Sequence, residues 1–236
     1  MRRKFKNEHI LGGIILTGLF IILIIAIGIL WIFPKFMKQR IYKKMTDALS
    51  HKEYAELDQI LDSFWCTFSY KPYNREFMRL TSYTMQGDRK KIEEQYESMF
   101  QKLRMSKKQK VPLAKRAFYF YLETSQFGKA QEMLSICKED PNQNEYHVMQ
   151  MMYDILAEKK SNHIQEIKKN LDQLKTQKDA FTKEANRVRI GVYEFLIGLQ
   201  YHYLHNTKTS YSYLESALKH CHHTPYEPMI QEMLRQ

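Results

Sequence analysis

The chain has 236 residues and a formal net charge of +11 at neutral pH, from 37 Lys and Arg against 26 Asp and Glu. Residues 1–44 hold nine of the basic residues and one acid, so they carry +8 and leave only +3 for residues 45–236. A nucleic-acid-binding domain usually carries its basic residues on the folded surface, so we expect no nucleic-acid partner. The three cysteines are far apart and odd in number, which argues against a disulfide framework or a CxxC zinc site.

The first predicted element is a membrane-spanning helix over residues 10–34. Residues 10–33 form 24 uncharged positions with Thr17 as the only polar side chain, and 17 of them are Ile, Leu or Phe. A helix of that length is about 36 Å long and crosses a hydrocarbon core of about 30 Å. The run is longer than the apolar region of a cleaved signal peptide, about 7–15 residues, and it lacks a small-residue cleavage site. We therefore expect an uncleaved anchor whose partner is membrane lipid.

The anchor divides the chain into three predicted segments. Residues 1–9 are a basic N-terminal tail, residues 10–34 are the transmembrane helix, and residues 35–236 form one domain outside the bilayer. Pro34 is expected to end the membrane helix, because proline removes a backbone donor.

The side of the membrane depends on the basic residues at the two ends of the helix. Four precede the apolar run and five follow it within residues 35–44, a difference of a single residue. Unpaired cysteines also fit a reducing compartment. We expect a single-pass protein of the cell membrane with its domain on the cytoplasmic side, and the extracytoplasmic orientation remains the alternative.

Apolar residues recur at spacings of three and four from residue 38 onward, which predicts helices and no strands. Gly87 and Gly128 mark two expected breaks between helices. The predicted helices are 37–49, 53–65, 73–86, 88–104, 108–126, 127–139, 143–159, 162–177, 180–206, 208–222 and 226–235. The fold class is all-α: one N-terminal transmembrane helix followed by an α-solenoid of about five helical hairpins.

The predicted hairpins repeat at a roughly regular interval along the sequence. The second helix of each pair begins with a residue expected to pack inward, at spacings of 35, 38, 34 and 46; these residues are Leu57, Ile92, Ala130, Ile164 and Ser210. Repeats of this length are typical of helical solenoids.

The best repeat lies in residues 194–217. Ile197-Gly198 is followed by Tyr201 on the first helix, and the second helix carries small, large and small residues at Ser210, Leu214 and Ala217. This pattern resembles the tetratricopeptide repeat family. A second copy has Phe118, Tyr121, Phe127, Ala130, Leu134 and Cys137 in the corresponding places, and a weaker one has Tyr83, Ile92, Tyr96 and Met99. An irregular domain of α-hairpins is the alternative.

The resemblance implies a peptide-binding groove lined by the first helix of each pair. Projected onto this chain, the groove residues are Phe77, Met85, Lys115, Tyr119, Tyr146, Met149, Tyr153, Phe195, Leu199, His202 and Tyr203. The alternative for each of them is a place in the core. A second candidate surface is a basic patch for anionic lipid or an acidic partner, or simply a solvated loop. Its residues are Lys102, Arg104, Lys107, Lys108, Lys110, Lys115 and Arg116.

Catalytic signatures are missing from the sequence. It has no Walker loop, dinucleotide glycine pattern, HExxH or nucleophile elbow, so we expect no enzyme and no cofactor. Five histidines cluster in sequence, but His202 and His205 would lie at one end of a hairpin and His220, His222 and His223 at the other. Because about twelve helical residues span roughly 18 Å, we expect no metal site from them.

These features predict a membrane-anchored, tetratricopeptide-like adaptor that binds a protein or peptide partner. Such a protein would be an accessory subunit of a transport, secretion or envelope complex. The alternative is a peptide-responsive sensor that lacks a DNA-binding domain.

Overall fold

A computed structural model describes residues 32–176 and 180–235, and within residues 180–185 it describes the backbone alone. Every regular element in these ranges is an α-helix and neither range contains a strand, which confirms the all-α class. Most of the predicted anchor, residues 10–31, lies outside the described residues. In the part of the chain that is described, no helix combines the length and apolar character that a bilayer span requires.

The chain divides into two compact units, Met1–Arg104 and Met105–Gln236. The described helices of unit 1 are α1 (32–50), α2 (Tyr54–Asp62), α3 (Phe64–Ser69), α4 (Pro72–Gln86) and α5 (Arg89–Lys102). Those of unit 2 are α6 (Lys107–Glu123), α7 (Phe127–Cys137), α8 (Gln143–Leu156), α9 (Ile164–Lys175), α10 (Ala180–Tyr203), α11 (Thr207–His220) and α12 (Glu227–Arg235).

Two predicted helix boundaries were wrong. Pro34 does not end a helix, because residues 32–50 are helical throughout. The single helix predicted over 53–65 is instead split at Ser63, whose backbone is extended at φ −63° and ψ 148°. The Ser63 hydroxyl accepts a hydrogen bond from the backbone N–H of Cys66 at 3.3 Å, so it caps α3 and restarts the helix in a new direction.

The core of unit 1 joins its first three helices. Ile41, Met45 and Ala48 form one stripe of α1 at spacings of four and three, and they pack with Leu57 and Leu61 of α2 and with Cys66 of α3. Tyr70, just after α3, fixes the same arrangement by donating its hydroxyl proton to the carbonyl of Lys38 at 2.9 Å. The first turns of α1 and the short helix α3 are therefore neighbours.

Arg79 connects α4 to α2 in unit 1. Its guanidinium lies 3.1 Å from Asp58 Oδ1 and 2.6 Å from Asp62 Oδ1, and Glu76 is 3.4 Å away on its own helix. Burial disfavours the cation, but the hydrogen bond and the three carboxylates outweigh burial and raise the pKa of Arg79. A partly buried guanidinium with several partners fixes the angle between the helices more firmly than a surface pair.

The close contact between α10 and α11 organises unit 2. Gly198 lies against Leu214, and a Cβ atom added to the glycine would be 2.9 Å from Leu214 Cδ2. The buried Ser210 hydroxyl donates to the Gly198 carbonyl at 2.8 Å, and Ala217 is fully buried. Small residues thus let the two helices approach, and Leu214 fills the space between them.

A buried carboxylate ties α10 to both of its neighbours. Glu194 is 1% exposed, and its Oε1 lies 2.7 Å from Lys175 Nζ at the end of α9. Its Oε2 accepts a hydrogen bond from Ser216 at 2.9 Å and lies 2.9 Å from His220 Nδ1, both on α11. A charge this deep requires partners of this kind, so Glu194 specifies how α9, α10 and α11 meet.

Three hairpins close with the same turn. Gly87, Ser125 and His205 have positive φ values of 69°, 58° and 55° and follow α4, α6 and α10 respectively. In each, the next residue donates its backbone N–H to the carbonyl of a tyrosine five residues earlier; these bonds are Asp88 to Tyr83, Gln126 to Tyr121, and Asn206 to Tyr201. A left-handed residue that ends a helix in this way is a Schellman-type cap.

Candidate functional site

A cavity of about 650 Å³ lies in unit 2. It lies among α6, α8, α10 and the loop before α12, and a volume of this size is typical of ligand sites. Its walls are Tyr119, Asn142, Asn144, Glu145, Val148, Met152, Val188, Arg189, Val192, Tyr193 and Tyr226. Three tyrosines, two asparagines and one charge of each sign therefore surround an otherwise apolar space.

A second cavity of about 430 Å³ adjoins the first. The two share Asn144, Val148, Arg189 and Tyr193 as lining residues, so they lie side by side in unit 2. At the far end, His147 Nε2 lies 2.7 Å from Glu166 Oε1 and joins α8 to α9. We call this feature the unit 2 groove, lined by the residues of both cavities.

Two tyrosines of the groove, Tyr119 and Tyr226, are buried phenols with raised pKa values. Burial raises the pKa of Tyr119 to about 12, and it raises the pKa of Tyr226 to about 12 as well. Tyr226 is held in place by its contact with Phe195, whose ring centroid is 6.3 Å away. Phenols of this kind offer a flat apolar face and a hydroxyl, a combination that suits binding of peptide groups.

Lys115 contacts the groove residue Glu145 but does not itself line the groove. Its ammonium group pairs with Asp140 in the loop before α8 and, at 2.5 Å, with Glu145 Oε2 on α8. Burial opposes the cation, but the hydrogen bonds to these two carboxylates raise the pKa of Lys115. The hydrogen bond from Lys115 is the main reason that the pKa of Asp140 is lowered.

Of the residues predicted for a groove, Tyr119 lines the observed one. Met149, Tyr153, Phe195 and Leu199 are instead buried in the core, where a partner has no access to them. The reason is helical register: on α8 the lining residues Glu145, Val148 and Met152 each precede the predicted Tyr146, Met149 and Tyr153 by one position. One residue rotates a side chain by about 100°, from the groove to the core.

The other predicted groove residues are dispersed. Tyr203 has a structural role, because its hydroxyl donates to the Ile155 carbonyl at 3.1 Å, and His202 is exposed at the end of α10. Phe77 stacks on Tyr73 with centroids 5.8 Å apart, and Met85 is exposed; both belong to unit 1. The structure therefore does not gather the eleven predicted residues into one surface.

The residues that the sequence analysis missed are chiefly Arg189 and Tyr193. They stand with Val188 and Val192 on one stripe of α10, at a spacing of four. The prediction placed the binding face farther along α10, at Phe195 and Leu199. Tyr226 was missed because it follows α11 in a short turn, where no periodicity identifies a facing side.

The predicted basic patch is partly neutralised. Lys115 is committed to Asp140 and Glu145, and Lys107 Nζ lies 3.2 Å from Glu139 Oε2. Lys102 and Arg104 belong to unit 1, whereas the others lie on α6 of unit 2. Lys108 and Lys110 are exposed.

A compact group of metal-binding residue types does occur at the turn before α12. Among the described residues, His222, His223 and Glu227 have ligand atoms within 4.8 Å of one another. Glu227 Oε1 lies 2.8 Å from His222 Nδ1, and its Oε2 accepts the backbone N–H of His223 at 2.7 Å. The hydrogen bond from His223 lowers the pKa of Glu227. Both carboxylate oxygens of Glu227 are therefore engaged within the turn, and the arrangement is that of a cap at the start of α12.

The described residues contain no exposed thiol. Cys66, Cys137 and Cys221 are all buried, and burial raises the pKa of Cys137 to about 11. Burial likewise raises the pKa of the Cys66 and Cys221 thiols. Thiols in such surroundings remain protonated and are poor nucleophiles.

No family model matches the chain, and no match was found among curated proteins or solved structures. The tetratricopeptide resemblance therefore stays a prediction that depends on the residues quoted for it.

Proposed function

We propose that this protein is a single-pass membrane adaptor whose unit 2 groove binds an extended segment of a protein or peptide partner. The observation that carries the proposal is the pair of adjoining cavities of about 650 and 430 Å³. Two adjoining cavities offer more room than a compact metabolite needs, and they suit an extended stretch of polypeptide better. The proposal involves binding and no chemical step.

The side chains of the groove support a peptide ligand. Tyr193 and Arg189 face both cavities, and the asparagines at the start of α8 offer amide groups to a backbone. Tyrosines supply contact area at a low cost in side-chain entropy, and Arg189 supplies a cation. Valines between them provide the apolar floor.

We further propose that the hairpins α4–α5, α6–α7 and α10–α11 are copies of one tetratricopeptide-like unit. Their shared turns, each with a left-handed residue and a bond to a tyrosine carbonyl, support this proposal. So does the packing of Gly198, Ser210 and Leu214, which matches the small and large positions of the family pattern.

Membrane attachment is proposed from the apolar run at residues 10–33, with the domain on the cytoplasmic side. Such a protein would hold its partner at the membrane as an accessory subunit of a transport, secretion or envelope complex.

Orientation can be measured with one introduced cysteine, because the native thiols are buried. Ser135 is exposed on α7, so Ser135→Cys offers a reactive thiol. We expect a membrane-impermeant maleimide to label this variant only after the cells are permeabilised. The wild-type protein, treated in the same way, should stay unlabelled. Labelling of the variant in intact cells would place the domain outside.

Site-specific photo-crosslinking tests the groove. We expect p-benzoylphenylalanine at position 193 to capture a partner in native membranes, and the same probe at the exposed Tyr211 of α11 to capture none. Arg189→Glu should abolish the adduct because it reverses the charge of the guanidinium that lines both cavities, whereas the charge reversal Lys208→Glu on exposed surface should preserve it.

Two results would count against the groove: equal adducts at positions 193 and 211, or an adduct that survives Arg189→Glu. The size of the captured species separates the two candidate functions. An adduct with the mass of a whole protein supports the adaptor. An adduct heavier than the uncrosslinked protein by only the mass of a short peptide supports the peptide sensor.

A further inference from the structure

Unit 1 carries an exposed aromatic surface, and none of its residues lines the unit 2 groove. Phe64 and Phe68 of α3 are 71% and 69% exposed, and Trp65 between them is 44% exposed. Phe33 and Phe36 at the start of α1 are also largely exposed. We call these five residues the aromatic patch. A protein rarely leaves so many large apolar side chains in water unless they contact a membrane or a partner.

The rings of the patch contact one another. Phe64 and Phe68 stack with centroids 6.3 Å apart, and Phe64 meets Trp65 edge-to-face at 5.3 Å. Trp65 in turn meets Phe33 edge-to-face at 5.9 Å. The contact between Trp65 and Phe33 places α3 beside the first turn of the described part of α1.

Phe33 is also the last residue of the 24-residue apolar run in the sequence. The ring of Trp65 is therefore 5.9 Å from the point where that run ends and the basic residues begin. If residues 10–33 cross the bilayer, this point is at the interface between hydrocarbon and headgroups, the depth that tryptophan prefers.

The sequence around the patch has the charge that an anionic bilayer surface attracts. Lys35, Lys38, Arg40, Lys43 and Lys44 follow the apolar run on α1. Each basic residue near an anionic surface contributes about 1 kcal/mol of attraction. Burying aromatic rings at the same surface adds an apolar contribution.

We infer that the aromatic patch is a second membrane contact, in which Phe64, Trp65 and Phe68 lie in the headgroup region of the leaflet where the anchor ends. The inference rests on the proposed membrane attachment. Its consequence is that unit 1 is held against the bilayer in one orientation, because a single helix alone would leave it free to rotate. The occupant of the patch is lipid.

The two tryptophans of the chain allow the membrane contact of the patch to be tested independently of the anchor. The chain has only Trp31, within the apolar run, and Trp65, within the patch. Trp31→Phe leaves the patch as the only tryptophan reporter, and Trp65→Phe leaves the anchor as the only one. Both full-length variants are to be reconstituted in vesicles of phosphatidylcholine and phosphatidylserine, with and without phosphatidylcholine brominated near the headgroups.

We expect bromine to quench the emission of both variants, and the spectrum of Trp65 to be shifted to the blue relative to the protein in detergent without bromine. Introducing Phe64→Ser and Phe68→Ser together should reduce the quenching of Trp65, whereas the same changes should leave the quenching of Trp31 intact. Unchanged quenching of Trp31 is the control that the anchor of the double variant is still inserted.

Quenching of Trp31 without quenching of Trp65 overturns the membrane contact and leaves the anchor standing. Absence of quenching in both variants overturns the anchor, and with it the proposed membrane attachment. Protection of Trp65 together with crosslinks between copies that increase with protein density would assign the patch to a second copy of the chain, which also overturns the inference.

Discussion

Gly191→Ala should destabilise unit 2 by about 1–3 kcal/mol, the range typical of overpacking a well-packed core. The direction of the change in stability is informative, because replacing glycine with alanine at an exposed site within a helix stabilises the helix by about 1 kcal/mol. At position 191 a Cβ atom would lie 2.5 Å from Cys221 Sγ and 2.8 Å from His220 Cβ. Hydrogen-exchange protection of unit 2 peptides would measure the loss.

The neighbours of Gly191 have little freedom to move away. Arg187 donates to the His220 carbonyl at 2.6 Å, and Cys221 donates its N–H to the Ala217 carbonyl at 2.8 Å. Gly128→Ala is the matched control, because no atom lies within 4 Å of the Cβ that it adds. Adding Cys221→Ala should recover part of the loss by removing the sulfur. Equal stability of Gly191→Ala and the wild-type protein would refute the close packing.

Lys115→Met should destabilise unit 2 by about 2 kcal/mol, less than the full cost of breaking a buried pair because Lys115 keeps some contact with solvent. The change removes the lysine partner of the buried Asp140 carboxylate, which keeps the hydrogen bond from the backbone N–H of Asn142 at 2.9 Å. Urea unfolding of the full chain in detergent, followed by circular dichroism, would measure the difference.

The ion pair between Lys115 and Asp140 also predicts that the stability of unit 2 depends on pH. The pKa of Asp140 is lowered in the folded protein, so its contribution to stability is present above the unfolded pKa of about 3.9 and is lost as pH falls through the folded pKa. The pKa of Lys115 is raised, so its contribution is present below the unfolded pKa of about 10.4 and is lost as pH rises through the folded pKa.

Acidification should therefore reduce the free energy of unfolding of the wild-type protein more steeply than that of Lys115→Met. Lys110→Met, a change of an exposed lysine on the same helix, should retain the wild-type slope. If both variants had the same acid dependence as the wild-type protein, the interaction between Lys115 and Asp140 would have no part in the stability.

The sequence predicted the helices of residues 32–176 and 180–235 well, because apolar spacing and Gly or Pro breaks are local signals. Most observed helices end within a few residues of the predicted ends. The split at Ser63 was missed, since a change of helix direction depends on the backbone of one residue and leaves the spacing of apolar residues intact.

The binding face was harder to predict than the helices. Eight of the fourteen residues of α8 are apolar or aromatic, so periodicity did not decide between Val148 and Met149 as the groove side chain. Only the packing of α8 on α10 makes that choice, and it buries Met149. The pairing of Lys115 with Asp140 likewise depends on a contact between residues 25 positions apart.

The three matching hairpin turns also bear on how the chain reaches its fold. Each is closed by backbone bonds between residues no more than five apart, such as Gln126 to the Tyr121 carbonyl. Closing so short a loop costs little chain entropy, and contacts that are local in sequence form quickly. We therefore expect the ends of these three hairpins to form before distant helices meet, which would give folding three independent places from which to begin.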